Sequence, residues 1–363
     1  MNVRVAASGS LAFREGAAVW DNHLDHRQHA LTELSLDVLR HFSDWRELAS
    51  AAELGPRHEA VARRLLEAGV LVAEDSLAHA RELHVTGSWG RWGGAAERFH
   101  FASRTTSSTT FATPASSFAT MRHQGVEETP PAIAARRHGE PIALPGTRIG
   151  DWQRPDVVSA LLDRRSARSF TDAPVALDDL AAILHVAGGF LGVFDELGTG
   201  PEAYKTSPSA GALHPNELYV RARRVSGLQP GTYHYDAAGG HLVRVGAEAV
   251  DIDDPRAYGD QEWPALSPVT LLHTAVVARN QWRYRTPRGY RDVLLGLGHV
   301  SQTILLAAGA RGLGGTFATA IRDEVLERHL GCDGVDEIVL GVTALGCAGI
   351  QLTPDAVSPT WLR

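Results

Sequence analysis

Lysine is nearly missing from this 363-residue chain: Lys205 is the only one, and arginine carries the rest of the side-chain positive charge. Acidic residues still prevail, giving a formal net charge of −7 and a pI near 6.2. Enzymes that grip nucleic acid usually show a basic excess, so this balance argues against such a partner. Cysteine is scarce too, with only Cys332 and Cys347. Two thiols cannot build a disulfide framework or a four-thiolate zinc site. The 17 histidines form no HExxH pattern and the cysteines no CxxC, which excludes the common zinc signatures. His234, His241 and His299 therefore read as structural. No GxSxG elbow marks a serine hydrolase, and no Walker pattern marks a nucleotide-binding loop. No run approaches the roughly 18 apolar residues of a membrane span. Met1-Asn2-Val3-Arg4 is not followed by the unbroken apolar stretch of a signal peptide. A soluble cytoplasmic protein with no membrane partner is the expectation.

What is present is a hydrophobic content of 44%, enough for a large core, and a length that suggests two domains. Residues 1–85 carry three short helical patterns. Leu34, Val38 and Leu39 belong to the first, Trp45 to Ala49 to the second, and Val61, Leu65 and Leu66 to the third. Gly69 caps the third, and Val70-Leu71-Val72 reads as a strand. That order predicts a winged-helix-like domain. Residues 86–150 combine an aromatic piece, Trp89-Gly90-Arg91-Trp92 with Phe99-His100-Phe101, and a Ser/Thr/Pro-rich linker. The aromatic piece predicts packing against a neighbour; the linker is a weak core former.

Residues 151–363 mix helix and strand signals. Asp156 suits an N-cap, and Leu177–Val186 reads as a helix. Glu217–Val220 and Val269–Ala278 read as strands. Two short strands flank Gly239-Gly240 as a hairpin. A long apolar helix spans Tyr290–Ala310, ends at Gly312 and precedes a last strand over Glu337–Val342. With no repeat and no regular strand-helix series, the expected fold class is α+β, with a mixed or antiparallel sheet flanked by helices.

Three constellations carry chemistry. Arg164, Arg165, Ser166 and Arg168 crowd three guanidiniums and a hydroxyl into five residues. Rigid donor forks beside a hydroxyl suit a phosphate, although a solvated basic turn has the same composition. Pro208, Ser209, Ala210 and Gly211 form a loop of small residues whose backbone can approach a flat ring, or simply turn the chain. Gly314 and Gly315, after the helix bearing His299 and Gln302, offer bare amides again.

Taken in order, these elements resemble the nitroreductase superfamily. Within it, Pro208–Tyr219 "PSAGALHPNELY", Gly227–Asp236 "GLQPGTYHYD" and Arg283–Gln302 "RYRTPRGYRDVLLGLGHVSQ" are similar to the SagB-type dehydrogenases, which oxidise thiazolines and oxazolines in ribosomal peptides. The resemblance covers roughly residues 150–350. It implies a nitroreductase-like fold and FMN at a homodimer interface. The phosphate would lie on Arg164, Arg165, Ser166 and Arg168, and Pro208–Gly211 would lie against the ring, contributed by the partner subunit. Gln302, Gly314 and Gly315 would lie near the flavin. The family's catalytic Lys-Tyr pair is Arg283-Tyr284 here. Arginine is a poor base, so Tyr284 becomes the expected base and Arg283 the charge favouring its phenolate, with Lys205 able to supply a displaced amine. The resemblance also implies a modified precursor peptide as substrate, a cyclodehydratase as partner, and a leader peptide gripped by residues 1–85. Two other readings remain. One is an NAD(P)H-dependent nitro or quinone reductase, or another flavin oxidation. The other is a non-enzymatic flavin-sensing or peptide-binding module.

Overall fold

The computed structural model describes residues 1–89, 93–104, 116, 119–123, 131–148, 150, 152, 156–195, 200–246 and 251–349. It divides into two compact units, Met1–Thr110 and Phe111–Arg363. Residues 105–115, 117–118, 124–130 and 149 of the Ser/Thr/Pro-rich linker lie outside the described residues, as do Gly90, Arg91 and Trp92.

The first unit opens with four strands: β1 (Asn2–Val5), β2 (Gly9–Arg14), β3 (Ala17–Asn22) and β4 (Arg27–Leu31). Next come α1 (Glu33–His41), β5 (Arg46–Glu47), a 3-10 turn over Leu48–Leu54, α2 (His58–Glu67) and β6 (Leu71–Ala73). The unit ends with α3 (Leu77–Trp89) and α4 (Gly93–Ala102). Thr32 caps α1 by accepting from Ser35 N. The first and third expected helices and the strand are present, but the second, expected over Trp45 to Ala49, is instead the short strand β5 running into the 3-10 turn. The antiparallel β2-β3-β4 meander was not foreseen. Its first turn places Glu15 and Gly16 at φ 51° and 81°, the backbone of a two-residue hairpin, with glutamate where Asn or Asp usually signals it. The unit also extends beyond the expected boundary near residue 85. Trp89 packs with Leu24, Val85 and Phe101, and its ring centroid lies 4.3 Å from that of His100. Trp89 and Phe101 of the aromatic piece thus pack in this unit's core.

The second unit is built on a seven-stranded sheet in the order β16-β17-β15-β11-β13-β14-β7, every pairing antiparallel. In chain order its elements are β7 (Pro141–Ala143), α5 (Val157–Asp163), β8 (Val175–Ala176), α6 (Leu177–Gly188), β9 (Gly192–Phe194), β10 (Glu202–Tyr204), β11 (Asn216–Ala222), β12 (Val225–Ser226), β13 (Gly231–Asp236) and β14 (His241–Val245). Then follow α7 (Glu262–Leu266), β15 (Val269–Val276), α8 (Val277–Arg283), α9 (Gly289–Ala310), β16 (Gly314–Ala318), α10 (Asp323–Leu330) and β17 (Glu337–Gly346). Alternation along the strands feeds two cores. Leu218 and Val220 of β11 join Leu184, Ile304 and Ala308 of α6 and α9 on one face. Tyr219, between them, joins Leu272, Leu326 and Val342 on the other.

Asp156 caps α5 by accepting from Ser159 N at 3.0 Å, as its position predicted. Helix α9 is long and apolar enough, by length and composition, to cross a membrane. A count of unbroken apolar residues overlooks this because Ser301, Gln302 and Thr303 interrupt the run. In the fold its Val293, Leu297, Ile304, Ala307 and Ala308 are buried, packed against α6 and the sheet.

Candidate functional site

Helix α5 ends at Asp163 and delivers Arg164 as its C-cap. The chain then runs beside the sheet edge: Ser166 forms a parallel bridge with Gly315, and Ala167 N donates to Gly315 O at 3.1 Å. The structure thus brings the arginine element and the glycine pair together. Arg164 is half-buried and Arg168 exposed, and among the described residues neither forms an ion pair with a carboxylate. Arg165 Nη1 turns back to the Leu162 and Arg164 carbonyls. Unneutralised guanidiniums beside a hydroxyl are the donor set an anion needs. The glycines have a further reason to be glycine. A Cβ on Gly314 would lie 2.8 Å from Ala167 Cβ, and one on Gly315 would lie 2.7 Å from Leu345 Cδ2 and 3.0 Å from Leu305 Cδ2. Close protein packing requires both, and Gly315 is buried.

The second assembly is the loop from Lys205 to Pro215. Ser207 and Thr303 share a hydrogen bond of 2.7 Å, and His299 Nδ1 lies 3.1 Å from the Pro208 carbonyl. These two residues of α9 fasten the loop; Gln302, half-buried on the same helix, belongs to neither contact. The loop bends through left-handed backbone at Gly211, Ala212 and His214, with φ of 60°, 53° and 41°. A Cβ on Gly211 would lie 2.8 Å from Arg283 Nη1 and 3.0 Å from the Tyr284 hydroxyl. The Pro208–Gly211 loop and the Arg283-Tyr284 pair, far apart in sequence, therefore meet in space. Tyr284 also lines a cavity of about 730 Å³, with Trp282, Pro287, Tyr290, Val293 and Ile338 among its walls.

Beneath the loop is a buried charge network that sequence reading did not assemble. Glu217 of β11 accepts from Arg279 Nη1 at 2.7 Å and lies 2.8 Å from His234 Nε2. Arg279 and Glu217 are 3% and 4% exposed, so both charges are shielded from water and depend on each other. Burial alone would push the Glu217 carboxyl up. The His234 hydrogen bond and the charges of Arg279 and Lys205 outweigh it and hold the group at about 2. Burial lowers Lys205 to about 8 against the pull of Glu217, with Arg279 adding to the depression. The Lys205 ammonium sits 4.9 Å from the Phe190 ring centroid. His214 is lowered to about 4 by burial and by the Lys205 charge, although its ring accompanies the Ala203 carbonyl. The available signals were a glutamate beside the apolar run Leu218-Tyr219-Val220 and an arginine four residues before Arg283 on the same helix.

Among the described residues, no group of three or more His, Cys, Asp or Glu side chains could hold a metal ion. Residues 161–347 match the nitroreductase family, slightly over half of the chain and including the arginine element, the loop, Arg283-Tyr284 and the glycine pair. The chain belongs to the nitroreductase family. This nitroreductase-family chain is 35% identical over 183 residues to a protein of Methanocaldococcus jannaschii named as a nitroreductase, MJ1384; the match covers 50% of this chain and 88% of that one. It is 29% identical over 168 residues to the trifolitoxin-processing protein TfxB of Rhizobium leguminosarum bv. trifolii, covering 44% of each. A crystal structure of a nitroreductase-type protein from Ralstonia eutropha aligns with 60% of this chain and 94% of its own, at 22% identity and a TM-score of 0.47. Members of the family typically bind flavin, and the chain is accordingly a flavin oxidoreductase by family.

Proposed function

We propose that this protein is an FMN-dependent dehydrogenase that oxidises thiazoline or oxazoline rings in a ribosomally made, enzymatically modified peptide. The observation that carries the reading is the meeting of Tyr284 and Arg283 with the Gly211 backbone, at the wall of a cavity of about 730 Å³. Pockets of roughly 300–1,000 Å³ suit a small ligand or a ring within a peptide. The relative named for trifolitoxin processing supports a peptide substrate.

Oxidation of an azoline to an azole removes one hydrogen as a proton and one as a hydride. Bound FMN supplies the hydride acceptor. Arg164, Arg165, Ser166 and Arg168 would hold its phosphate, as their unneutralised charges allow. Tyr284 takes the proton and Arg283 sets the charge beside the phenol, while Lys205, at the head of the loop, is the family's displaced amine. Gln302 and the Pro208–Gly211 loop would border the ring.

Two copies of the chain complete the site. Thr303 and Leu305 of α9 touch the loop and the glycine pair respectively. At about 100° per residue they point roughly 200° apart, so one protomer presents the two assemblies on opposite sides of α9. Apolar Leu294 and Leu295 on α9, with Val157, Val158 and Leu161 on α5, are exposed and supply the dimer contact. Residues 1–85 grip a leader peptide through their winged-helix-like part, and a cyclodehydratase supplies the azoline.

The M. jannaschii relative named as a nitroreductase favours a second reading, NAD(P)H-dependent reduction of nitro compounds or quinones. Incubating the flavin-loaded protein with a synthetic thiazoline peptide should remove two mass units per ring. No mass loss, together with rapid NAD(P)H-driven quinone reduction, would replace the first reading with the second.

A further inference from the structure

The strained stretch from Gly211 to His214 is held by one side chain of the helix that carries Tyr284. Arg279 of α8 donates from Nη1 to the His214 carbonyl at 2.9 Å and from Nε to the Ala132 carbonyl at 2.8 Å. Its guanidinium is completed by Glu217 at 2.7 Å. One turn later on the same helix, Arg283 lies against Gly211. Tyr284 closes the helix, its N–H donating to the Asn280 carbonyl at 2.8 Å. His214 is itself tied down, with its N–H donating to Ser209 Oγ at 3.1 Å and Nε2 2.9 Å from the Ala203 carbonyl. Left-handed backbone at Ala212 and His214 persists only where surroundings over-determine it. A buried arginine paired with Glu217 and two carbonyls does that here, and a buried ion pair is by itself weak evidence of net stabilisation.

We propose that Arg279 is a positioning residue for Tyr284, clamping the left-handed Gly211–His214 segment onto α8 so that the loop backbone seats the tyrosine hydroxyl. The inference rests on the reading of Tyr284 as the base. Arg279 touches no reacting atom and acts through the loop. Glu217 and His234 orient Arg279, and Thr303 and His299 fix the other end of the same loop.

The test uses the full-length, flavin-loaded protein with 3-fluorotyrosine placed at position 284 alone. Wild type should give one narrow ¹⁹F resonance. Replacing the buried pair together, Arg279→Met with Glu217→Leu, removes both charges of the pair rather than stranding one and should split or broaden that resonance. The same variant should keep its flavin, lose kcat on a thiazoline peptide by a factor on the order of ten to a hundred, and hold KM within about twofold. Arg279→Lys keeps the charge toward Glu217 but not the two-carbonyl fork. It should move the resonance in the same direction, and it carries the test if the double variant does not fold. An unchanged single resonance in the folded variants overturns the positioning role. Because that readout needs no turnover, it decides the matter even if no thiazoline peptide is oxidised, an outcome that would count against the dehydrogenase reading alone.

Discussion

In the proposed reaction, Tyr284 is the side chain on which the chemistry turns. Tyr284→Phe removes only the hydroxyl that abuts the Gly211 backbone and keeps the ring in the cavity wall. Flavin content should stay at the wild-type level while azoline oxidation falls by about 10²–10⁴-fold, the usual cost of a lost general base. Arg283→Lys installs the Lys-Tyr pair that the resemblance to SagB-type dehydrogenases leads one to expect and should retain activity, which the same mass assay reads. Glu217 makes a separate prediction. Its carboxyl is held at about 2 against an ordinary value near 4.3. A depressed acid contributes stability above its unfolded pKa and loses it as pH falls through the folded one. Melting temperatures should therefore drop between roughly pH 4.5 and 2. Glu217→Gln should flatten that fall and lower stability at neutral pH by about 3–5 kcal/mol, since it strands Arg279 in the interior. A Glu217→Gln melting curve matching wild type at pH 7 would show that Arg279 finds another partner.

At the scale of elements, the loop over Lys205–Pro215 is the unit that unites the site, and Gly211 is its pivot. Gly211→Ala adds a Cβ 3.0 Å from the Tyr284 hydroxyl on a backbone of φ 60°. Activity should fall by on the order of a hundredfold through misplacement, while the melting temperature shifts by only a few degrees, as calorimetry beside the turnover assay will show. Much of this element was legible beforehand. The small-residue loop, the strand from Glu217 and the hairpin at Gly239-Gly240 have strong local signals, glycine turns and alternating apolar residues. Helix α9 was equally plain, because its apolar face is long. The Glu217–Arg279–His234 network was not. Its members lie on β11, α8 and β13, and only the antiparallel pairing of Tyr219 with His234 and of Glu217 with Thr274 sets the strands beside one another. Local periodicity carries no trace of that register. The glycine pair was read as ligand-facing, and its close contacts with Ala167 and Leu345 became visible only once the sheet edge was assembled.

On the scale of the whole molecule, the arginine element and the loop occupy opposite sides of α9 in one protomer. A dimer that joins them should be obligate. Interfaces of this kind commonly bury more than about 2,000 Å² and survive dilution. Sedimentation at nanomolar concentration should give a single species of twice the 39.0 kDa chain mass. Charged substitutions at the exposed pair, Leu294→Glu with Leu295→Lys, should release monomers that lose flavin. A flavin-loaded monomer would show that each protomer closes its own site.

The solitary lysine gives this protein a built-in chemical address. An amine-directed reagent has one side-chain target, Lys205, at the head of the loop, and the burial that lowers its basicity to about 8 also restricts a reagent's access to it. Attachment of a fluorophore or cross-linker at Lys205 therefore reports directly on how far that loop uncovers it.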